Sequence, residues 1–319
     1  MKTIIVPLDG SALAEQALPY ARALAALTGA QIHLMQAIPE QRVASVYTPM
    51  LAEAYAAGSD PSEALEHNHM PVMATLQSQA AMYLAEQAQA LRTNAITVDI
   101  ETYIGDPAEM IVEIAETKPA AWVVMATHGY SGLRRWTLGS VTDKVVQAAS
   151  VPVLIVRSSP VAPPAMVRFR NILVPLDGSE LSQQALPLAV ELAKANGALL
   201  TLVRAISPTA DVWAGTGLAG LPPIPYDDVY EALHTQARSE LEAIADDLSA
   251  QGLRVNTVVE SAIAADAIIA EAHHCKADLV VMATHGRGGL RRWTLGSVAD
   301  KVLHATITPL LLVRARHTI

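Results

Sequence analysis

The sequence predicts an α/β protein made of two tandem doubly wound domains, each with a five-stranded parallel sheet. Three observations carry this prediction. The segment Gly-Leu-Arg-Arg-Trp-Thr-Leu-Gly-Ser-Val occurs at residues 132–141 and again, unchanged, at 289–298. In each half, short apolar runs alternate with alanine- and leucine-rich helical segments, which is typical of parallel strands joined by right-handed crossovers. The 319 residues suffice for two domains of about 150 residues each.

The first half is predicted to contain five strands that alternate with helices. The strands are expected over residues 4–8, 32–38, 96–104, 121–126 and 151–156, and the helices over 12–27, 71–91, 107–116 and 140–149. Ser11 and Gly29 are the predicted caps of the first helix. Residues 39–70 are rich in polar and small side chains, which predicts a long exposed connection.

The second half repeats this pattern after a linker. Val174–Ser179 repeats Val6–Ser11 at an offset of 168, whereas the ten-residue segment repeats at an offset of 157. The first half therefore carries about 11 additional residues, between its second and third strands. Residues 158–170 are proline-rich and without periodicity, which predicts a semi-stiff linker between a domain at 1–157 and a domain at 171–316.

Composition excludes several classes of function. The formal net charge of −9 argues against sequence-independent nucleic-acid binding, which needs a basic face. A single cysteine, Cys275, excludes a disulfide framework and a cysteine-rich zinc site. No apolar run approaches the roughly 18 residues of a membrane span, and no signal peptide is evident. We therefore expect a soluble cytoplasmic protein with no nucleic-acid or membrane partner.

The repeated segment has the layout of an anion-binding loop. In each half a predicted strand leads through a glycine-rich loop to the start of a helix, where backbone N–H groups and the helix dipole attract phosphate. Four glycines would let the backbone approach phosphate oxygens, and two serines would add a hydroxyl group: Gly129, Gly139, Gly286, Gly296, Ser140 and Ser297. A structural alternative is a capping box in which Asp143 or Asp300 reaches back, and the glycines only form turns.

Asp9 and Asp177 follow the first strand of each half. In the strand order 3-2-1-4-5 the first and fourth strands are neighbours, so these aspartates would lie beside the glycine-rich loops, at the crevice where such sheets bind ligands. A carboxylate there can accept hydrogen bonds from ribose hydroxyls or the adenine amino group. The loops are identical in the two halves while the flanking helices and strands differ widely. Packing alone does not explain that difference, which favours a binding role.

With these motifs the chain resembles a tandem universal stress protein of that family's nucleotide-binding branch. The family's phosphate motif is Gly, two residues, Gly, nine residues, Gly and then Ser or Thr. Here it spans Ala126–Ser140 and Ala283–Ser297, with alanine in place of the first glycine. The resemblance covers both halves almost end to end. It implies Rossmann-like, adenine nucleotide alpha-hydrolase-like domains that bind ATP with Mg²⁺, and a role in the stress response. The added methyl groups of the two alanines predict weaker affinity.

The resemblance implies one nucleotide site in each half. In the first half the site would comprise Pro7, Leu8, Asp9, Ser11, Ala37, Ile38, Met125, Ala126, His128, Gly129, Gly139, Ser140 and Val141. In the second half it would comprise Pro175, Leu176, Asp177, Ser179, Ala205, Ile206, Met282, Ala283, His285, Gly286, Gly296, Ser297 and Val298. The two histidines could contact phosphate or stabilise a turn. No catalytic residue and no protein metal site is predicted, and His67 and His69 are assigned to a solvated loop.

Two classes of function remain open. The first is a nucleotide-dependent stress regulator. The second is a slow ATPase or nucleotidyl-transfer enzyme on the same fold, and a further option is another adenine ligand such as AMP or a cyclic nucleotide. The absence of a second candidate base or an acidic cluster favours the regulator over the enzyme. The last apolar strands, Val151–Val156 and Thr308–Val313, are expected to pair the two domains, and a homodimer is also open.

Overall fold

A computed structural model describes residues 2–57, 61–93, 95–118, 121–127, 139–158, 166–207, 226–285 and 295–315. By their internal contacts the described residues form two compact units. The first unit contains the residues up to 151 together with Ser158. The second unit contains residues 152–157 and those from 166 onward.

The first unit is a parallel sheet with helical crossovers. Its strands are β1 (Thr3–Pro7), β2 (Gln31–Ile38), β3 (Val98–Ile104) and β4 (Ala121–Thr127). A short 3₁₀ helix (Ala14–Ala17) precedes α1 (Leu18–Thr28), and the other helices are α2 (Glu40–Ala56), α3 (Pro61–Leu91), α4 (Pro107–Thr117) and α5 (Ser140–Ala148). The strand order is β3-β2-β1-β4, and the three pairings along it are parallel.

The second unit repeats this arrangement. Its strands are β5 (Val153–Arg157), β6 (Asn171–Pro175), β7 (Leu199–Ala205), β8 (Arg254–Glu260), β9 (Leu279–His285) and β10 (Leu310–Ala315). Its helices are α6 (Glu180–Gln183), α7 (Leu186–Asn196), α8 (Tyr226–Ala250), α9 (Ala264–His274) and α10 (Ser297–Ala305). The parallel order β8-β7-β6-β9-β10 is the predicted order 3-2-1-4-5.

The α/β class is thus confirmed, with a sheet whose central strands are buried on both faces. Ile5, Val6 and Leu34 have no exposed side-chain surface, and neither have Leu173 and Leu202 of the second unit. Such runs lack the apolar-polar alternation of a half-exposed sheet because helices cover both faces. The burial explains why the strands could be recognised from short, continuous apolar runs.

The strand β5 lies in the second unit, although it closes the first half of the sequence. It runs antiparallel to β10, with Leu154 opposite Leu311. Arg157, at its end, donates hydrogen bonds from Nη2 to the carbonyl oxygens of Leu303 (2.8 Å) and His304 (3.0 Å) in α10. These bonds satisfy two carbonyl groups in the last turn of that helix, which lack partners within the helix itself.

The prediction of an exposed connection over residues 39–70 was wrong. Most of that segment is helical, in α2 and the first part of α3. Val43, Tyr47 and Leu51 are spaced four residues apart, so they share one face of α2, which packs against Ile38 and Ala80. This face was obscured in the sequence by Ser45 and Thr48 between its members and by Pro49, which the helix contains. His67 and His69, assigned to a loop, lie in α3; their side chains are outside the described part.

Candidate functional site

Each unit contains a cavity at the carboxyl ends of its parallel strands. The cavity of the first unit has a volume of about 420 Å³ and lies at the ends of β1, β2 and β4. The cavity of the second unit has a volume of about 460 Å³ and lies at the ends of β6, β7 and β9. Both volumes fall in the range of small-molecule sites, and both cavities occupy the crevice in which doubly wound sheets bind ligands.

The structure brings nine of the predicted residues of each half together around these cavities. In the first unit they are Pro7, Leu8, Asp9, Ala37, Met125, Ala126, Gly139, Ser140 and Val141. In the second unit they are Pro175, Leu176, Asp177, Ala205, Met282, Ala283, Gly296, Ser297 and Val298. The two sets correspond position by position, so segments far apart in the chain form the same lining twice.

The aspartates are oriented by the turn that follows β1 and β6. Oδ1 of Asp9 accepts a hydrogen bond from the backbone N–H of Ser11 at 2.9 Å, and Oδ1 of Asp177 accepts one from Ser179 N–H at 2.9 Å. The glycine between each pair has a φ of 85°, a left-handed conformation that side chains other than glycine rarely adopt. The turn therefore holds each carboxylate at the cavity.

The two serines of this turn accept hydrogen bonds from backbone N–H groups and do not line the cavities, although Oγ of Ser179 also donates to Oδ1 of Asp177 at 2.6 Å. Oγ of Ser11 accepts a hydrogen bond from Ala14 N–H at 3.2 Å, but Ser11 is not the predicted N-cap, because Leu13 precedes the 3₁₀ helix and Ala17 precedes α1. Oγ of Ser179 accepts one from Ser182 N–H at 3.1 Å and caps α6. The backbone of Ile38 and of Ile206 was also predicted to contact the ligand, but neither residue is among those that line the two cavities, and their side chains are buried.

The helices α5 and α10 begin at the cavities without side-chain caps. Gly139 and Gly296 are the N-cap residues, and neither helix has a side-chain hydrogen bond at its N-cap. The capping-box alternative is therefore wrong, since Ser140 and Ser297 lie one residue inside the helices. Oδ1 of Asp143 instead accepts from Nε2 of Gln147, one turn further on. First-turn N–H groups at a cavity wall, at the positive end of a helix dipole, are suited to an anion.

The two N-cap glycines do not have an unusual backbone conformation. Their φ angles are −59° and −60° with ψ near 145°, which any residue adopts. Both glycines lie in the wall of their cavity. The remaining residues of the phosphate motif, His128, Gly129 and Gly286, lie outside the described residues, as does the side chain of His285.

Sequence reasoning missed the contribution of the helix after β3 and β8. Pro107 and Ile111 of α4 line the first cavity, and Ala264 and Ile268 of α9 line the second. A signal for the first pair was present in Asp106-Pro107, a helix start directly after a strand whose carboxyl end lies at the same sheet edge. Oδ1 of Asp106 accepts from Ala108 N–H at 2.9 Å and Glu109 N–H at 3.2 Å.

The charge of Asp106 is stabilised by its surroundings. Nζ of Lys144, on α5, lies 3.0 Å from Oδ2 of Asp106 and holds the pKa of that carboxyl below its usual value, together with the bond from Glu109 N–H. The pair links two helices that both line the first cavity.

Within the described residues, no three histidine, cysteine or acidic side chains are grouped as metal ligands. No helix there has the length and apolar character to cross a membrane.

Comparison with known proteins places these observations in a family. The sequence model of the Universal stress protein family matches residues 1–157 and 168–314. A universal stress protein of Mycobacterium tuberculosis is 30% identical over 239 residues, which cover 73% of this chain and 74% of that protein. One of Mycolicibacterium smegmatis is 29% identical over 98% of this chain and 97% of its own length. The crystal structure of a universal stress protein from Archaeoglobus fulgidus superposes with a TM-score of 0.68 at 20% identity, covering 98% of each chain.

Proposed function

The chain belongs to the universal stress protein family, and on that premise we propose that it binds one ATP molecule, with Mg²⁺, in each of its two halves. The bound nucleotide would set the conformation of the chain or its choice of partner in a cytoplasmic stress response. The observation that carries this proposal is the pair of cavities lined by matching residues at the ends of the parallel strands.

The chemistry of the lining supports a nucleotide that lies across the strand ends. At one end of each cavity, the N-terminal turn of α5 or α10 offers backbone N–H groups to phosphate. Asp9 or Asp177 offers carboxylate oxygens to ribose hydroxyls or an amino group. Met125, Ile111 and Pro7 supply apolar surface for a base in the first unit. A phosphate site, a polar acceptor and an apolar wall are the three elements that a nucleotide requires.

The residues of each cavity fit magnesium only as an ion that binds together with the nucleotide phosphates. Each described cavity contains one carboxylate, Asp9 or Asp177, and magnesium in nucleotide sites is commonly held by one or two carboxylates, phosphate oxygens and water. Bound there, the ion would neutralise phosphate charge. The protein's own contribution is to orient the nucleotide through the helix start and the aspartate, whose carboxylate is already fixed by the bond from Ser11 or Ser179.

Titration calorimetry with ATP and MgCl₂, together with mass spectrometry of ligand released from the purified chain, tests this proposal. We expect a stoichiometry of two ATP per chain and an adenine nucleotide in the released fraction. No binding of any adenine nucleotide would overturn the proposal. Tighter binding of AMP or a cyclic nucleotide than of ATP would replace the ligand, and release of ADP and phosphate from bound ATP at a steady rate would favour the slow-ATPase alternative.

A further inference from the structure

The first unit contains a smaller cavity beside its candidate nucleotide site, named here the annex. Its volume is about 260 Å³, and it shares Asp9, Gln36 and Arg42 with the larger cavity. The remainder of its wall comes mainly from α3, through Leu76, Gln79, Ala80 and Tyr83. The shared residues stand between the two cavities, so a ligand in the larger one would lie directly beside the annex.

In the second unit an ion pair occupies the corresponding positions. By the offsets of the repeat, Gln36 corresponds to Arg204 and Tyr83 to Glu240. Nη1 of Arg204 donates a hydrogen bond to Oε2 of Glu240, and the guanidinium group lies against Gly178, where an added Cβ would come within 2.8 Å of Nη2. Gln236, the counterpart of Gln79, donates to Oε1 of Glu240 at 2.8 Å. Arg204 and Glu240 are thus bonded to each other at the positions whose counterparts in the first unit, Gln36 and Tyr83, line the annex.

The side-chain amide of Gln36, in the first unit, has an oxygen without a hydrogen-bond partner in the described structure. Its side chain is 5% exposed, and Oε1 is buried without a hydrogen-bond partner in the described structure. A buried acceptor without a partner costs free energy that a ligand donor can recover. Tyr83 does not supply that donor, because its hydroxyl donates to Oε1 of Glu15 at 3.0 Å. A glutamine amide pairs with the N6 and N7 edge of adenine, which presents a donor beside an acceptor.

The sheet order sets the distance between the annex and the phosphate end of the cavity. Gln36 lies on β2, and β4 leads toward Gly139 and the start of α5. Because β1 lies between these strands, they are about 10 Å apart. A nucleotide with its phosphates at α5 would therefore place its base near β2, at the end of the cavity that borders the annex.

Resting on the proposed nucleotide binding, we infer that the two sites differ in ligand selectivity. The first unit accepts an adenine nucleotide that carries a bulky substituent on N6, and the substituent enters the annex. The second unit excludes such a ligand because Arg204 and Glu240 fill the corresponding space. Both units accept an unsubstituted adenine nucleotide, since the larger cavities have matching linings.

Titration calorimetry of the full chain with ATP and with N6-benzyl-ATP tests the inference. We expect the chain to bind two ATP molecules but only one molecule of N6-benzyl-ATP, in the first unit. The affinity of the second unit for the analogue should be at least tenfold weaker than that of the first unit. Gln79→Trp fills the annex from an exposed position on α3, so it should abolish binding of the analogue and leave two ATP bound. The matched change in the second unit, Gln236→Trp, should leave one analogue bound.

Opening the second unit provides the converse experiment. Arg204→Ala combined with Glu240→Ala removes both members of the ion pair, so no buried charge is left without its partner, and analogue stoichiometry should rise from one to two. Two analogues bound to the unaltered chain, none bound, or an unchanged stoichiometry in the Gln79→Trp variant would overturn the inference while ATP binding stands. Failure of ATP itself to bind would instead overturn the proposed function.

Discussion

Asp106 and Lys144 form an ion pair, Nζ to Oδ2 at 3.0 Å, that links the start of α4 to α5. The two carboxylate oxygens have separate roles, since Oδ1 accepts from the first-turn N–H groups of α4. Both helices line the first cavity. The corresponding N-cap in the second half is Ile263, which forms no side-chain hydrogen bond to its helix. The capping aspartate and its ion pair are therefore found in the first unit and not at the corresponding position of the second.

We predict that Asp106→Ala lowers the free energy of unfolding by about 1 kcal/mol, the usual cost of losing an N-cap side chain. Lys144→Ala should cost less, about 0.5 kcal/mol or below, because exposed ion pairs contribute little. Urea denaturation of the two single variants separates the cap from the ion pair. An equal loss in both variants would show that the ion pair, and not the cap, carries the stabilisation.

His33 on β2 is predicted to make stability fall as the pH is lowered. Its side chain is 2% exposed, with Nδ1 buried without a partner in the described structure. Burial, and secondarily the charge of Lys118, lowers its pKa below the ordinary 6.5, although Glu101 and Asp99 oppose the shift. The unfolded chain therefore takes up a proton below about pH 6.5 that the folded chain resists, and stability present above that pH is lost as it falls.

The check is the difference in unfolding free energy between pH 7.5 and pH 5.5, measured for the natural chain and for His33→Gln. Removal of the titrating group should make this difference smaller, even if the variant has a lower free energy of unfolding than the natural chain at pH 7.5. Because the comparison is made within each protein, a uniform loss of packing cancels. The same pH dependence in both proteins would mean that other groups cause it.

The sequence was informative where a residue's role follows from its neighbours along the chain. Strands such as 4–8 and 32–38 are continuous apolar runs, and Asp9 follows the first of them directly, so the strands and the place of Asp9 could be predicted. The face formed by Val43, Tyr47 and Leu51 depends on packing against Ile38 at the end of β2 and against Ala80 in α3. Its helix was therefore missed.

The same distinction applies to the site. Asp9 and Gly139 stand in recognisable motifs, whereas Ile111 and Ile268 enter the cavity walls only because of the strand order. The annex could not be predicted, because it depends on what Gln36 contacts across β2 and α3. Arg204 and Glu240 are 36 residues apart, and neither residue type alone indicates that they meet.

Arg157 is predicted to stabilise the second unit through the end of α10. Arg157→Met removes the bonds from Nη2 to the carbonyl oxygens of Leu303 and His304 and keeps most of the side-chain length. We expect a loss of about 1.5–3 kcal/mol, typical of a hydrogen bond from a charged group. Arg168→Met, at an exposed position, is the control and should change stability by about 0.5 kcal/mol or less. A similar loss in both variants would contradict the assigned role.

Gly139→Val and Gly296→Val are predicted to abolish nucleotide binding one site at a time. Each would place a branched side chain in the cavity wall at the start of α5 or α10, where phosphate oxygens would approach the backbone. Valine can adopt the φ and ψ of either position, so stability should change by no more than about 1 kcal/mol. Thermal denaturation of each variant verifies that the fold is kept.

Titration calorimetry with ATP and MgCl₂ then gives the number of ATP molecules bound by each variant. The natural chain should bind two ATP, each single variant one, and the double variant none. Each single variant is the control for the other, because the unaltered site in the same molecule reports that the protein is folded and active in binding. Two ATP retained by the double variant would show that the helix starts do not hold the phosphates. One ATP bound by the natural chain would show that only one of the two matching cavities is a nucleotide site.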